Sequence, residues 1–120
     1  MTDRELLEAA AKAAGIKVDW REPVQCLCYS SSPYYEAWNP LENDGDALRL
    51  AVLMNLQIDV YQGGDPHVAV GYGPGKADSL QRRRECIERM DVDNFTSRYA
   101  ATRRAIVRAA SALGEQGGGK

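Results

Sequence analysis

The segment from Trp38 to Leu50, WNPLENDGDALRL, constrains the fold of this chain more than any other segment. It joins an aromatic residue and a proline to a cluster of helix-capping residues, and a run of helix formers follows at once. Asn43, Asp44 and Asp46 are residue types that accept the free backbone N–H groups of a first helical turn. The segment therefore predicts a helix from Asp44 to Met54.

Length and charge limit the function classes. The chain has 120 residues, enough to bury the core of one domain and too few for two. Its 15 basic and 17 acidic residues give a net charge of -2, which argues against general nucleic-acid binding and against anionic membrane surfaces. No apolar stretch approaches the roughly 18 residues of a spanning helix. We expect one domain over residues 1–114 and a disordered, glycine-rich tail over 115–120.

The cysteines indicate a reducing compartment. Cys26, Cys28 and Cys86 are an odd number, and no positively charged leader with an apolar core precedes them. The sequence therefore predicts free thiols in a cytosolic protein. Cys26 and Cys28 would share one face of a strand, too close along the chain for relaxed disulfide geometry. With one further cysteine and one histidine, a four-ligand zinc site is not expected, and we predict neither a metal nor a cofactor.

The first part of the chain predicts a helix and one short strand. Apolar residues recur at helical spacing as far as Ala14, Thr2 or Asp3 can cap the start, and Gly15 ends the helix. From residue 18 to residue 37 the pattern is mostly irregular, with a strand predicted from Val24 to Tyr29.

The middle of the chain predicts a β-hairpin. Leu56 to Tyr61 alternates apolar and polar residues, a turn sequence, GGDP, follows, and His67 to Tyr72 returns the chain. Gly73 to Lys76 predicts a second turn. The stretch Leu80 to Met90 fits a strand or a helix, and we interpret Leu80 to Glu88 as a third strand.

The last element is a helix from Arg98 to Leu113 that Gly114 is expected to stop. Its broad apolar stripe needs a sheet face to cover, and its small residues allow close packing. Arg103 falls at the edge of that stripe, where a salt bridge with Asp44 or Asp46 or the binding of an anion is expected.

Two of these motifs carry a family resemblance. WNPLENDGDALRL, placed between a helix and a meander, and the terminal YAATRRAIVRAASALGE resemble the phage ABA-sandwich family, small bacteriophage and prophage proteins related to the NinX type. The resemblance implies an α/β fold in which a small antiparallel sheet of three to four strands is sandwiched by α-helices. It also implies a phage accessory protein that acts in the host cytoplasm.

Catalytic motifs are not recognised in the sequence, so we predict that the protein is not an enzyme. The single histidine, His67, falls in a predicted strand, where packing or surface roles are typical. Asp44 and Asp46 could be metal ligands or an acid and base pair, but helix capping explains them better. The run Arg82 to Arg84 fits a solvated face better than a phosphate clamp.

A ligand site is predicted where the loop at Trp38 packs on the last helix. Aromatic stacking and arginine contacts would suit an anionic, base-containing ligand such as a nucleotide immune signal, which the protein would sequester to evade host defence. That ligand class follows from the phage context of the resembled family. The residues expected to line the site are Trp38, Asn39, Tyr99, Thr102 and Arg103.

Two alternatives stay open. Trp38 at a loop-to-helix junction can be a core plug rather than a ligand contact. The protein can also be an interaction module that binds a host or phage protein through its sheet edge or through Tyr34, Tyr35 and Trp38. Homo-oligomerisation is compatible with both functions.

Overall fold

The computed structural model describes residues 1–73, 84–90 and 95–117, with the side chains of residues 95, 96 and 115–117 left aside. Within these ranges it is an α/β fold of small antiparallel sheets flanked by helices, which confirms the predicted fold class. The elements in chain order are α1 (Asp3–Ala14), β1 (Val18–Arg21), β2 (Cys26–Tyr29), α2 (Asp44–Leu53), β3 (Gln57–Tyr61), β4 (His67–Tyr72), β5 (Arg84–Arg89) and α3 (Phe95–Gly117).

Capping residues set the bounds of α1 and α2 as predicted. The Thr2 hydroxyl accepts the backbone N–H of Glu5 at 3.1 Å, and Gly15 ends α1 with a φ of 73°. A positive φ costs glycine little, which suits it to this position. At α2, Asn43 is the N-cap, and its side chain accepts the backbone N–H of Asp46 at 2.8 Å.

Strands β3, β4 and β5 form one antiparallel sheet with β4 in the centre. The predicted hairpin is confirmed, with Ile58 opposite Val70 and Val60 opposite Val68. The ambiguous stretch is a strand from Arg84 to Arg89, whereas its first residues, 80–83, lie outside the described residues. Residues 74–76 of the second predicted turn lie outside them as well.

Strands β1 and β2 form a separate hairpin that the sequence predicted only in part. Residues 18–21 were expected to be irregular, yet they pair with β2 along its full length. The strand predicted from Val24 begins two residues later, because Val24 and Gln25 form the turn. Gln25 adopts a φ of 51° there, and its side-chain amide donates to the Glu22 carbonyl at 2.8 Å. These local side-chain bonds favour a turn over a strand.

Helix α3 is the centre of the fold. It packs on β4 and β5 and also on α1 and α2, with Ala105, Ala109 and Ala110 fully buried. Helix α1 packs mainly against α3. Small residues on α3 allow this double contact, because they bring the backbones of two helices close together.

The predicted end of α3 at Gly114 was wrong, since the helix continues to Gly117. Gly114 instead lies against α1, where a Cβ atom would come within 2.8 Å of the Ala13 Cβ. The glycine is thus explained by close packing rather than by helix termination. Residues 118–120 lie outside the described part of the chain.

No helix within the described residues has both the length and the apolar character needed to cross a membrane.

Candidate functional site

Trp38 anchors the loop that enters α2. Its side chain is 1% exposed, and its backbone N–H donates to the Leu27 carbonyl of β2 at 2.9 Å. Pro40 on the same loop is also fully buried. The interpretation of Trp38 as a core plug is therefore confirmed, although one part of the residue still lines the cleft described below.

Asp46 ties the same loop to the first turn of α2. Its carboxylate accepts the Asn39 backbone N–H at 2.9 Å and an Arg49 N–H at 2.7 Å. The Asn39 side-chain oxygen accepts the Leu41 N–H at 3.1 Å, which tightens the turn. Asp46 is only 5% exposed, so these bonds are what compensate its buried charge. The structural interpretation of Asp46 is supported, since its partners belong to the loop and the helix.

Arg103 joins α3 to this loop. Its Nε donates to the Leu41 carbonyl at 2.8 Å, and its Nη1 donates to the Asp44 carboxylate at 2.6 Å. The predicted salt bridge is confirmed with Asp44 as the partner. Because the Arg103 side chain is 16% exposed and already bonded, it serves to hold the loop on α3.

Tyr99 and Thr102, like Arg103, do not line the cleft that is described in the next paragraph. Tyr99 is 58% exposed. The Thr102 hydroxyl donates to the Arg98 carbonyl at 2.8 Å, one turn back along α3. The loop thus packs on α3 as expected, but of the five predicted residues only Trp38 and Asn39 line the cleft that this packing creates.

The cleft lies between the start of α1, the β1–β2 hairpin, the loop after Trp38 and α3. We call it the Trp20–Trp38 cleft. It encloses about 430 Å³, a volume within the range of about 300–1,000 Å³ that is typical of small-ligand sites. Its lining comprises Asp3, Arg4, Leu7, Trp20, Gln25, Cys26, Leu27, Trp38, Asn39, Leu41, Glu42, Ala100 and Arg104.

Arg4 and Trp20 form one wall. The guanidinium carbon of Arg4 lies 4.3 Å from the centroid of the Trp20 ring, a cation–π contact. Glu8 accepts the Arg4 Nε–H at 2.9 Å, and Glu22 accepts the Trp20 indole N–H at 3.1 Å. The ring face of Trp20 is therefore already stacked with a flat, cationic group.

Arg104 supplies the second cation of the cleft. Its Nη1 donates to Asp3 of α1 at 3.1 Å, and its Nε lies 3.8 Å from the Glu88 carboxylate of β5. The side chain is 43% exposed, so solvent and ligands can reach it. Asp3 and Glu42 balance Arg4 and Arg104 in the lining, which leaves the cleft formally neutral.

The sequence did not identify Arg4, Trp20 or Arg104 as site residues. Ala100 and Arg104 are four residues apart and share a helical face, whereas Tyr99 and Arg103 occupy the adjacent face. Periodicity identifies both faces but does not tell which of them meets α1. That choice depends on how α1 and α3 pack, which is a tertiary property.

The remaining candidate residues either make contacts with their neighbours in the chain or on the sheet, or lie outside the described residues. His67 stacks on Tyr61 with ring centroids 4.6 Å apart, and its Nδ1 lies 2.8 Å from the Asp65 carbonyl oxygen. Arg84 is exposed on β5, whereas Arg82 and Arg83 fall outside the described residues. Among those residues, no group of three or more histidine, cysteine, aspartate or glutamate side chains is placed to hold a metal.

Comparison of the chain with protein-family models, with curated proteins and with solved structures finds no match.

Proposed function

We propose that this chain is a non-enzymatic bacteriophage or prophage accessory protein that binds an anionic, base-containing small molecule in the Trp20–Trp38 cleft. A nucleotide immune signal of the infected host is the ligand class we favour, bound so that host defence does not detect it. The observation that carries the proposal is the cleft itself, where four elements bring a partly exposed arginine and a stacked arginine–tryptophan pair together.

The aromatic wall supports a ligand that contains a base. A nucleobase can take the position of the Arg4 guanidinium on the Trp20 ring, because both are flat groups that stack on an aromatic face. Arg4 would then keep its bond to Glu8 or turn toward the phosphate of the ligand. Stacking of this kind tolerates different bases, which suits a protein that captures a class of signals.

Arg104 supports an anionic ligand. Its contacts with Asp3 and Glu88 leave the guanidinium 43% exposed, and a phosphate can replace Asp3 as the acceptor with two parallel N–H bonds. Salt screens the attraction between a phosphate and the exposed part of the Arg104 guanidinium, so we expect the affinity to fall as salt rises and to depend strongly on Arg104.

The phage origin and the host cytoplasm as the site of action rest on the family resemblance of the two sequence motifs. The cleft supports an anionic, base-containing ligand independently of that resemblance. A test of binding therefore addresses the biochemical part of the proposal alone.

A thermal-shift screen against mono-, di- and cyclic nucleotides tests the proposal. A ligand at 100 times its dissociation constant should add about 2.7 kcal/mol of stability. Arg104→Ala should reduce the shift to about half or less, whereas Arg89→Ala should retain it in full, because Arg89 is 81% exposed on β5 and is not a cleft residue. If no nucleotide of the panel raises the melting temperature, nucleotides are excluded as ligands.

A protein-interaction role is the second candidate, favoured by an apolar surface on α2. Leu48, Val52 and Leu53 are 61%, 73% and 58% exposed, and β3, which follows, is an edge strand of its sheet. Edge strands and exposed apolar helices are common docking surfaces. A host or phage partner that is captured by the wild type and by Arg104→Ala, but not by Val52→Asp, would establish this function instead.

A further inference from the structure

The two edges of the three-stranded sheet differ in how they can meet a further strand. Strand β5 is protected, because four of its six residues are charged: Arg84, Glu85, Glu88 and Arg89. Arg108 also donates from its Nη1 to the Ile87 carbonyl of β5 at 3.2 Å. Strand β3 carries one charged residue, Asp59, and among the described residues it pairs with β4 alone. Charged edges resist the addition of a strand, so β3 is the edge that is open to pairing.

An apolar groove lies beside this open edge. It encloses about 340 Å³ between α2 and β3. None of the described residues that line it is charged: Leu48, Ala51, Val52, Asn55, Leu56 and Ile58. Val60 follows Ile58 on the same face of the sheet, and it is 50% exposed because α3 packs on β4 and β5. The edge thus presents an uncharged groove and an exposed apolar side chain next to each other.

We propose that a second copy of this chain occupies this edge, with the two β3 strands paired antiparallel about a twofold axis. Two identical edges related by a twofold axis normal to the sheet run antiparallel, so each strand supplies the backbone partners that the other lacks. The same axis brings Val60 of each copy to the groove of the other. Because the described lining of the groove carries no charge, the two copies bring no like charges together there.

The side chains of β3 favour one register. With Ile58 beside the axis, Gln57 lies opposite Asp59 of the second copy, and Val60 lies opposite Leu56 of the second copy. Leu56 and Ile58 both line the groove, so this register carries Val60 into it. The Gln57 amide already donates to Asp59 of its own strand at 3.5 Å, and the same pair of groups can bond across the axis. An axis at Asp59 would instead set two carboxylates directly opposite each other, which destabilises a sheet.

The dimer does not use the residues of the Trp20–Trp38 cleft, since the groove and the cleft share no lining residue. It can therefore form whether or not a ligand binds. The second copy also covers the α2 surface on which a host or phage protein would otherwise dock.

Sedimentation equilibrium of the full chain tests the dimer, under reducing conditions that exclude disulfide-linked copies. We expect the mean mass to rise from one chain toward two as the concentration increases through the micromolar range. Val60→Lys should weaken dimerisation at least about 100-fold, because each dimer would bury two unpaired ammonium groups. Ile87→Lys is the matched control and should dimerise as the wild type does, because Ile87 is 51% exposed on the protected β5 edge.

Circular dichroism shows whether Val60→Lys still folds. If it does not, Val52→Asp decides the matter, at a groove position of α2 that is 73% exposed. A wild type that stays monomeric leaves the surface to another protein and overturns the proposal, as does a dimer that survives in the folded groove variants.

The register has its own test. Ile58→Cys should form an inter-chain disulfide that the wild type lacks, because its two copies meet at the axis. Tyr61→Cys should not, since its two copies would lie about 20 Å apart along the strands. A cross-link in Tyr61→Cys, or none in Ile58→Cys, would overturn this register.

Discussion

Gly114 of α3 lies directly against Ala13 of α1. A Cβ atom on Gly114 would come within 2.8 Å of the Ala13 Cβ and 3.5 Å of the Ala9 carbonyl oxygen. Asp3 of α1 contacts Arg104 of α3, and each of these residues lies ten positions before its helix's residue in the Ala13–Gly114 contact. The two helices therefore run in the same direction along their line of contact, the α1–α3 seam. The side of α1 that faces α3 is thus fixed, and with it the cleft at the other end of the seam.

Gly114→Ala should lower the free energy of unfolding. Overpacking costs about 1–3 kcal/mol, whereas the higher helix propensity of alanine returns at most about 1 kcal/mol. We therefore expect a net loss, measured by urea unfolding. A gain in stability would show that the two helices are not in such close contact.

A double variant provides the control for this contact. Ala13→Gly removes the methyl group that an alanine at 114 would meet, so the pair Ala13→Gly and Gly114→Ala should lose less stability than the sum of the two single changes. Strict additivity would contradict direct packing.

Trp38→Ala should destabilise the protein by about 3–5 kcal/mol, because the side chain is fully buried and its loss leaves a cavity. Chemical unfolding of the variant measures this directly. A variant with near-native stability and lost ligand binding would instead assign Trp38 to the ligand alone.

Arg103→Ala should lower stability by about 1.5–3 kcal/mol, the range for hydrogen bonds to charged groups, because the Leu41 carbonyl loses its donor. Asp44→Asn should cost about 1 kcal/mol or less, since Asp44 is 71% exposed. Equal losses in the two variants would show that the exposed ion pair, and not the carbonyl bond, holds the loop.

The sequence was sufficient to predict the elements that local signals define. Capping residues located α1 and α2, and the alternation of β3 together with the GGDP turn located the β3–β4 hairpin. It missed β1, where Val18 and Trp20 are only half-buried and the alternation spans four residues. It misjudged Gly114 because a packing glycine and a terminating glycine look identical in sequence.

The residues of the cleft could be predicted only in part, because local sequence signals do not reveal which elements pack together. Trp38 and Asn39 lie on the loop that the capping pattern identified. Arg4, Trp20 and Arg104 come from elements whose contact depends on the packing of α1 on α3, and helical periodicity does not tell whether their face of α3 or the adjacent face with Tyr99 and Arg103 meets α1.

Stability should decrease at alkaline pH. Burial raises the pKa of Cys86 and of Tyr72. The folded protein therefore keeps protons that the unfolded chain releases, so this contribution is complete below about pH 8.5 and is lost as pH rises through the raised pKa values. Urea unfolding between pH 7 and pH 10.5 should show the decline, and Cys86→Ala should make it shallower, because it removes the group that titrates within this interval in the unfolded chain. Stability that rises over this interval would contradict the assignment.

The most direct test of the account is a calorimetric titration of wild type, Arg104→Ala and Arg89→Ala with the nucleotide that gives the largest thermal shift. We predict one site per chain, with a loss of about 1.5–3 kcal/mol in binding free energy for Arg104→Ala and no change for Arg89→Ala. Equal affinities in all three proteins, or no heat of binding across the nucleotide panel, would contradict the assignment of the Trp20–Trp38 cleft as an anion-binding site.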